Sequence, residues 1–99
     1  MDALLESAVQ IIRDGYKPEK IILFGSRARG DYRTDSDYDF IILKKTDERF
    51  VQRSQSIPDL PMRTDCFVYT PEEFATMKDS NPFIIEALKN SITLYEKND

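Results

Sequence analysis

Two short apolar runs, Ile21-Ile22-Leu23-Phe24 and Phe40-Ile41-Ile42-Leu43, stand out of an otherwise mixed chain and read as buried strands. Lys20 leads into the first strand, which ends at Gly25. The second is predicted over residues 37–43, with Asp37, Asp39, Ile41 and Leu43 on one face and Tyr38, Phe40 and Ile42 on the other. Both faces turn apolar beyond the acids, as expected of a central strand covered on both sides. A third strand is predicted over residues 63–69. Its alternation puts Thr64, Cys66 and Val68 on one face and Asp65, Phe67 and Tyr69 on the other. Ile92-Thr93-Leu94-Tyr95 reads as a last strand, followed by a polar end over 96–99 that is expected to fray.

Helical spacing accounts for most of the rest. Leu4, Leu5, Ala8, Val9, Ile11 and Ile12 form an apolar stripe over residues 2–14, with Asp2 placed to cap the start and Gly15 to end the helix. A short helical turn is predicted at 26–28, capped by Ser26 and stopped at Gly30. Residues 47–55 are read as a polar helix, and the prolines at 58 and 61 then impose a loop. Thr70-Pro71-Glu72-Glu73 combines a capping Thr, Pro at the first helical position and Glu at the third. A second start, Asn81-Pro82, leads into Phe83, Ile84, Ile85, Ala87 and Leu88, whose spacing predicts a largely buried helix.

At 99 residues the chain is expected to form one domain, residues 1–99. With 40% apolar and 32% charged residues it has the composition of a soluble globular protein rather than a disordered one. No apolar run approaches a membrane span and the N-terminus lacks the pattern of a signal peptide. A lone cysteine, Cys66, fits a reducing compartment, so a cytoplasmic location is expected and Cys66 reads as core. The formal charge of -4 argues against extended nucleic-acid binding, though Arg27, Arg29 and Arg33 cluster where a compact polyphosphate could use them. Histidine is absent, so catalysis must rest on carboxylates, hydroxyls, cations or a hard metal.

The chemistry gathers in residues 25–39. Asp37 and Asp39, at i and i+2 of a strand, project from one face and can hold divalent cations; a tripeptide of this kind is also an ordinary solvated strand end. Gly25-Ser26 after a buried strand lets a phosphate approach the backbone, or serves only as a tight turn with a helix cap. Arg27 and Arg29 can pair with phosphate or with acids such as Asp31 and Asp35, and Ser36 can contact a nucleotide or cap the strand. Lys44, Lys45, Arg49 and Arg53 read as a solvent-facing charge group. Tyr32, inside the loop, is the tyrosine best placed for self-modification.

Gly-Ser, ten intervening residues and Asp-x-Asp, flanked by apolar strands, resembles the signature of the DNA polymerase beta-like nucleotidyltransferase superfamily. Gly25-Ser26-Arg27-Ala28-Arg29-Gly30 with Ser36-Asp37-Tyr38-Asp39-Phe40 is similar to the minimal nucleotidyltransferases, the antitoxin partners of HEPN-domain toxins. The stretch from Thr64 to Phe74 resembles their third-acid strand and following helix. The resemblance implies an α/β fold: a small mixed sheet backed by helices, with the site at the open end of the first two strands. It implies transfer of AMP from ATP, with Asp37, Asp39 and Asp65 as catalytic acids and ligands of two magnesium ions. Asp59, between the loop prolines, is a rival third acid. Gly25 and Ser26 hold the outer phosphates, with Arg27, Arg29 and Ser36 as further nucleotide contacts.

Larger relatives add domains for their acceptor, whereas here the catalytic core uses nearly the whole chain, so the acceptor surface is expected on another molecule. The expected function is antitoxin of a type VII toxin-antitoxin pair, modifying a tyrosine of a HEPN-type ribonuclease. Two alternatives stay open: an antitoxin that neutralises by binding alone, and a small-molecule nucleotidyltransferase whose acceptor pocket forms in a homo-oligomer.

Overall fold

The computed structural model describes residues 2–98. It is a four-stranded mixed sheet backed by helices, in strand order β3-β2-β1-β4. The strands are β1 (Lys20–Phe24), β2 (Tyr38–Leu43), β3 (Thr64–Tyr69) and β4 (Ile92–Glu96). β1 runs antiparallel to both β2 and β4, and β2 runs parallel to β3. The helices are α1 (Ala3–Tyr16), α2 (Ser26–Arg29), α3 (Phe50–Arg53), α4 (Pro71–Met77) and α5 (Pro82–Leu88).

Period-2 alternation divides the core into two layers, one on each face of the sheet. On one face Leu5, Ile12 and Tyr16 of α1 pack against Ile21, Leu23, Tyr38, Phe40, Ile42 and Val68. On the other, Ile84 and Ala87 of α5, with Phe74 and Met77 of α4, cover Ile22, Phe24, Ile41, Leu43 and Tyr69. The facing predicted for the second and third strands is the one observed. β2 is buried along its whole length except at Asp39. A bulge between β1 and β4 leaves Leu94 outside the pairing, so both Leu94 and Tyr95 reach the α1 layer.

Caps explain most helix starts. Asp2 Oδ1 accepts from the Leu5 N–H at 2.7 Å, while Asp2 Oδ2 accepts from the Tyr38 hydroxyl at 3.0 Å, tying the start of α1 to the start of β2. Thr70 and Glu73 form the expected capping box on α4, and Asn81 caps α5.

Several expectations are corrected. Gly15 does not end α1; the helix continues to Tyr16 and Lys17 takes the left-handed conformation, while Gly15 makes room for Pro58, whose ring leaves no space for a Cβ. Gly25, not Ser26, caps α2, because its carbonyl accepts the first helical hydrogen bonds from Ala28 and Arg29. The helix predicted over 47–55 shrinks to α3 plus a 3-10 turn, Ser54–Ser56, since Phe50 and Val51 remain exposed and supply little burial. α5 is amphipathic rather than largely buried, with Phe83 and Ile85 exposed. At the C-terminal end Glu96 pairs with Lys20 and the Lys97 N–H donates to the Glu19 carbonyl, so the predicted fraying does not reach these residues; Asp99 lies outside the described residues.

The largest correction is Arg53. It is only 6% exposed, and its guanidinium donates to the carbonyls of Glu48 and Val68 and to both carboxylate oxygens of Glu73. Lys44 likewise turns inward, donating to the Tyr16 carbonyl at the end of α1. Arg53 thus ties the β2–β3 connection to the edge strand β3 and to α4. The bidentate Arg53 contact holds the Glu73 carboxyl below its usual range, aided by the Thr70 N–H.

A depressed folded-state pKa contributes stability above the unfolded value, and that contribution disappears as pH falls through the folded one. Glu73 is partly exposed and solvent screens the pair, so Glu73→Gln is expected to cost only about 1 kcal/mol at pH 7. Urea melts of parent and variant at pH 7 and pH 3 will show the gap closing in acid; an equal gap at both would assign the loss to something other than the ion pair.

Candidate active site

The turn leaving β1 and the parallel pairing of β2 with β3 build the site. In the β2–β3 register Asp39 stands directly opposite Asp65, and in the β1–β2 register it stands opposite Phe24, the residue before Gly25. Gly25 has φ 76°, a value that favours glycine, and a Cβ there would run into the Asp39 carboxylate. The carboxylate of Asp39 thus packs on the bare backbone at Gly25 with Asp65 beside it.

Electrostatics mark the same spot. Partial burial pushes the Asp39 carboxyl above its ordinary range, the charges of Asp65 and Asp37 push it further, and Arg29 pulls it back. Asp39 and Asp65, side by side on β2 and β3, bring together two carboxylates, the donor type a hard cation takes. As placed, Asp37 is turned to Arg63 at 3.3 Å, and among the described residues no three His, Cys, Asp or Glu side chains converge closely enough to hold a metal ion. Arg63 is 83% exposed, so this pair contributes little and is cheap to break. On donor chemistry the residues fit magnesium.

The remaining predicted residues divide. Arg29 stays at the site, lining a recess with Phe24 and Gly25 and pairing with Asp31 in an exposed contact of 3.3 Å. Arg27 is engaged elsewhere. Its guanidinium sits 4.2 Å from the Tyr32 ring centroid and 4.3 Å from that of Tyr38, and it donates to the carbonyls of Thr34 and Ser36. Ser36 Oγ accepts from the Arg33 N–H, closing the turn ahead of Asp37. Arg27, Ser36 and Tyr32 thereby shape the loop that presents Asp37. Asp59, the rival third acid, lines a hollow with Ile57, Pro58 and Leu60 that Asp65 also borders, and it has no place opposite Asp39 in the sheet register. Sequence reasoning missed Arg63, for which there is no spacing signal, and Phe83, whose place in the first turn after Asn81-Pro82 was legible while its exposure was not.

With this geometry established, comparison with known proteins fixes the family. The profile described as "Polymerase beta, Nucleotidyltransferase" matches residues 6–99. The chain belongs to this family. Its fold is shared with the crystal structure of a "putative nucleotidyltransferase from Sulfolobus solfataricus", at 20% sequence identity and a TM-score of 0.60 over 98% of this chain and 90% of that one. No curated protein matches the chain. No helix among the described residues is long and apolar enough to cross a membrane. As a member of the family the protein has a nucleotidyltransferase-type domain, and the paired acids lie on the β2 and β3 strands of its sheet.

The raised Asp39 pKa has a sign that can be tested. A carboxyl that binds its proton more tightly when folded favours folding at low pH and loses that advantage as pH rises through the folded value. Asp39→Asn is therefore expected to melt a few degrees higher than the parent at pH 7 in the presence of EDTA, and close to it at pH 3. Adding magnesium should raise the melting temperature of the parent and not that of the variant. A variant less stable than the parent at pH 7 would contradict the penalty that burial and the neighbouring acids place on the Asp39 charge.

Proposed function

We propose that the protein is a magnesium-dependent adenylyltransferase that moves AMP from ATP to a tyrosine hydroxyl of a HEPN-type ribonuclease toxin, and so acts as its antitoxin in the cytoplasm. The observation that carries the reading is the Asp39–Asp65 pair seated against Gly25, in a chain of the nucleotidyltransferase family. Its finer part, the toxin as acceptor, is supported by the similarity of residues 25–40 to the minimal nucleotidyltransferases.

In the proposed reaction the acceptor oxygen forms a bond to the α-phosphorus of ATP, the bond from that phosphorus to the bridging oxygen breaks, and pyrophosphate leaves. Asp37, Asp39 and Asp65 would hold magnesium, which when bound would supply positive charge against the charge developing on the phosphoryl and leaving oxygens. Asp65 takes the acceptor proton. It suits that part because it is exposed on the edge strand β3, where a side chain of another protein can reach it. Asp39, half-buried beneath, keeps its position through the β2 pairing on both sides. Gly25 lets the triphosphate approach the backbone, and Arg29 contributes a cation at the rim.

Incubation with magnesium, ATP labelled at the α-phosphate and a HEPN-domain ribonuclease tests the reading. Label on a ribonuclease tyrosine, lost with Asp39→Asn by about a hundredfold or more and accompanied by loss of RNA cleavage, is the expected result. Neutralisation by an Asp37→Asn, Asp39→Asn double variant without label would replace catalysis with simple binding. Label on a small hydroxyl compound alone would replace the protein acceptor.

A further inference from the structure

We infer that the recess between α5 and the β1–α2 turn seats the base of the bound nucleotide, with Phe83 as the ring on which it stacks. The inference rests on the nucleotide substrate of the reading above and adds a site that the family motif does not contain.

Position is the first argument. The recess, about 430 Å³, is lined by Phe24, Gly25, Arg29, Phe83, Ala87 and Lys89. That size falls in the range of small-molecule sites, roughly 300–1,000 Å³. Gly25 belongs to it and is also the residue against which the Asp39 carboxylate packs, so the recess opens beside the acids. Reading across the sheet, Asp65 lies on edge strand β3, Asp39 on β2, and Gly25 follows β1. An acceptor that gives its proton to Asp65 approaches from the β3 side. The recess on the β1 side is left for the other substrate.

Chemistry is the second argument. Phe83 is 42% exposed, yet it does not project freely into water. Phe24 meets it edge-on at 5.7 Å between ring centroids and Phe67 lies against it at 5.0 Å, so the ring is braced by two residues of the sheet. Such a ring offers a rigid stacking surface at low entropic cost, and stacking accepts any nucleobase. Around it stand two cations whose carboxylate partners are exposed: Arg29 with Asp31 at 3.3 Å and Lys89 with Glu86 at 3.0 Å. Exposed pairs of this kind contribute little and can be exchanged for phosphate oxygens. An aromatic floor beside two cations, one of them paired with the Glu86 carboxylate that also lines the recess, and a bare glycine backbone complements a nucleoside phosphate, which is flat and apolar at one end and anionic at the other.

The test compares ATP with inorganic tripolyphosphate, which shares the anion and lacks the base. Dissociation constants are measured by calorimetry with magnesium present, for the parent, Phe83→Ala and Phe83→Tyr. The inference predicts that Phe83→Ala weakens ATP by about 5- to 100-fold, leaves tripolyphosphate within about twofold, and that Phe83→Tyr restores ATP binding. Unchanged tripolyphosphate binding also shows that the alanine variant is folded. Equal ATP affinity for Phe83→Ala and the parent would overturn the inference, as would an equal loss for both ligands. So would a rise in KM for the acceptor with ATP binding intact, which would make the recess the acceptor's. Adenylyl transfer by the parent, measured separately, keeps the two readings apart: transfer with an unaffected Phe83→Ala removes only the base site, and base-specific loss without transfer to the ribonuclease removes only the acceptor.

Discussion

The parallel pairing of β2 with β3 is the constraint on which the rest of the molecule depends. It sets Asp39 opposite Asp65, two carboxylates far apart in sequence, and it does so by backbone hydrogen bonds that neither side chain has to supply. Parallel strands require a long connection, here residues 44–63, and a long polar connection has little burial of its own to hold it. Arg53 provides the hold. By donating to Glu48, Val68 and Glu73 it fixes the connection to β3 and α4, and the charge it buries is balanced by a carboxylate and two carbonyls.

A similar trade between stability and use runs through the site. Asp39 is the one β2 residue that the two apolar layers do not fully bury, and its partial burial, then the charges of Asp65 and Asp37, raise the free energy of its charged form. Asp37 is turned to an exposed arginine, and the loop that carries it is held by the Arg27 guanidinium between Tyr32 and Tyr38. The apolar layers supply the stability against which this repulsion is tolerated. Arg29 softens it without cancelling it.

Most of this architecture was legible in the residues. The alternation in 37–43 and 64–69 gave the correct faces because each strand is covered on at least one side, which leaves a period-2 trace. The same trace put Asp39 and Asp65 on matching faces of their strands, and the sheet register sets the two opposite each other. Arg53 was misread as solvent-facing because a buried cation looks the same in sequence as an exposed one; what settles its place is Glu73, twenty residues on. What crowds Gly15 and Gly25 was hidden for the same kind of reason, since Pro58 and the Asp39 carboxylate come from elsewhere in the chain. Phe83 escaped notice because helical periodicity cannot tell an apolar residue in the core from one at the mouth of a recess.

The claim at the centre is that Asp39 and Asp65 share one electrostatic site. Carbon-13 NMR titration of the Asp39 side-chain carboxyl, in the parent and in Asp65→Asn without divalent ions, tests it most directly. The account predicts an Asp39 midpoint above the ordinary aspartate range in the parent and a clear downward shift in the variant, because one repelling charge is gone. An Asp39 midpoint that stays in place when Asp65 loses its charge would contradict it.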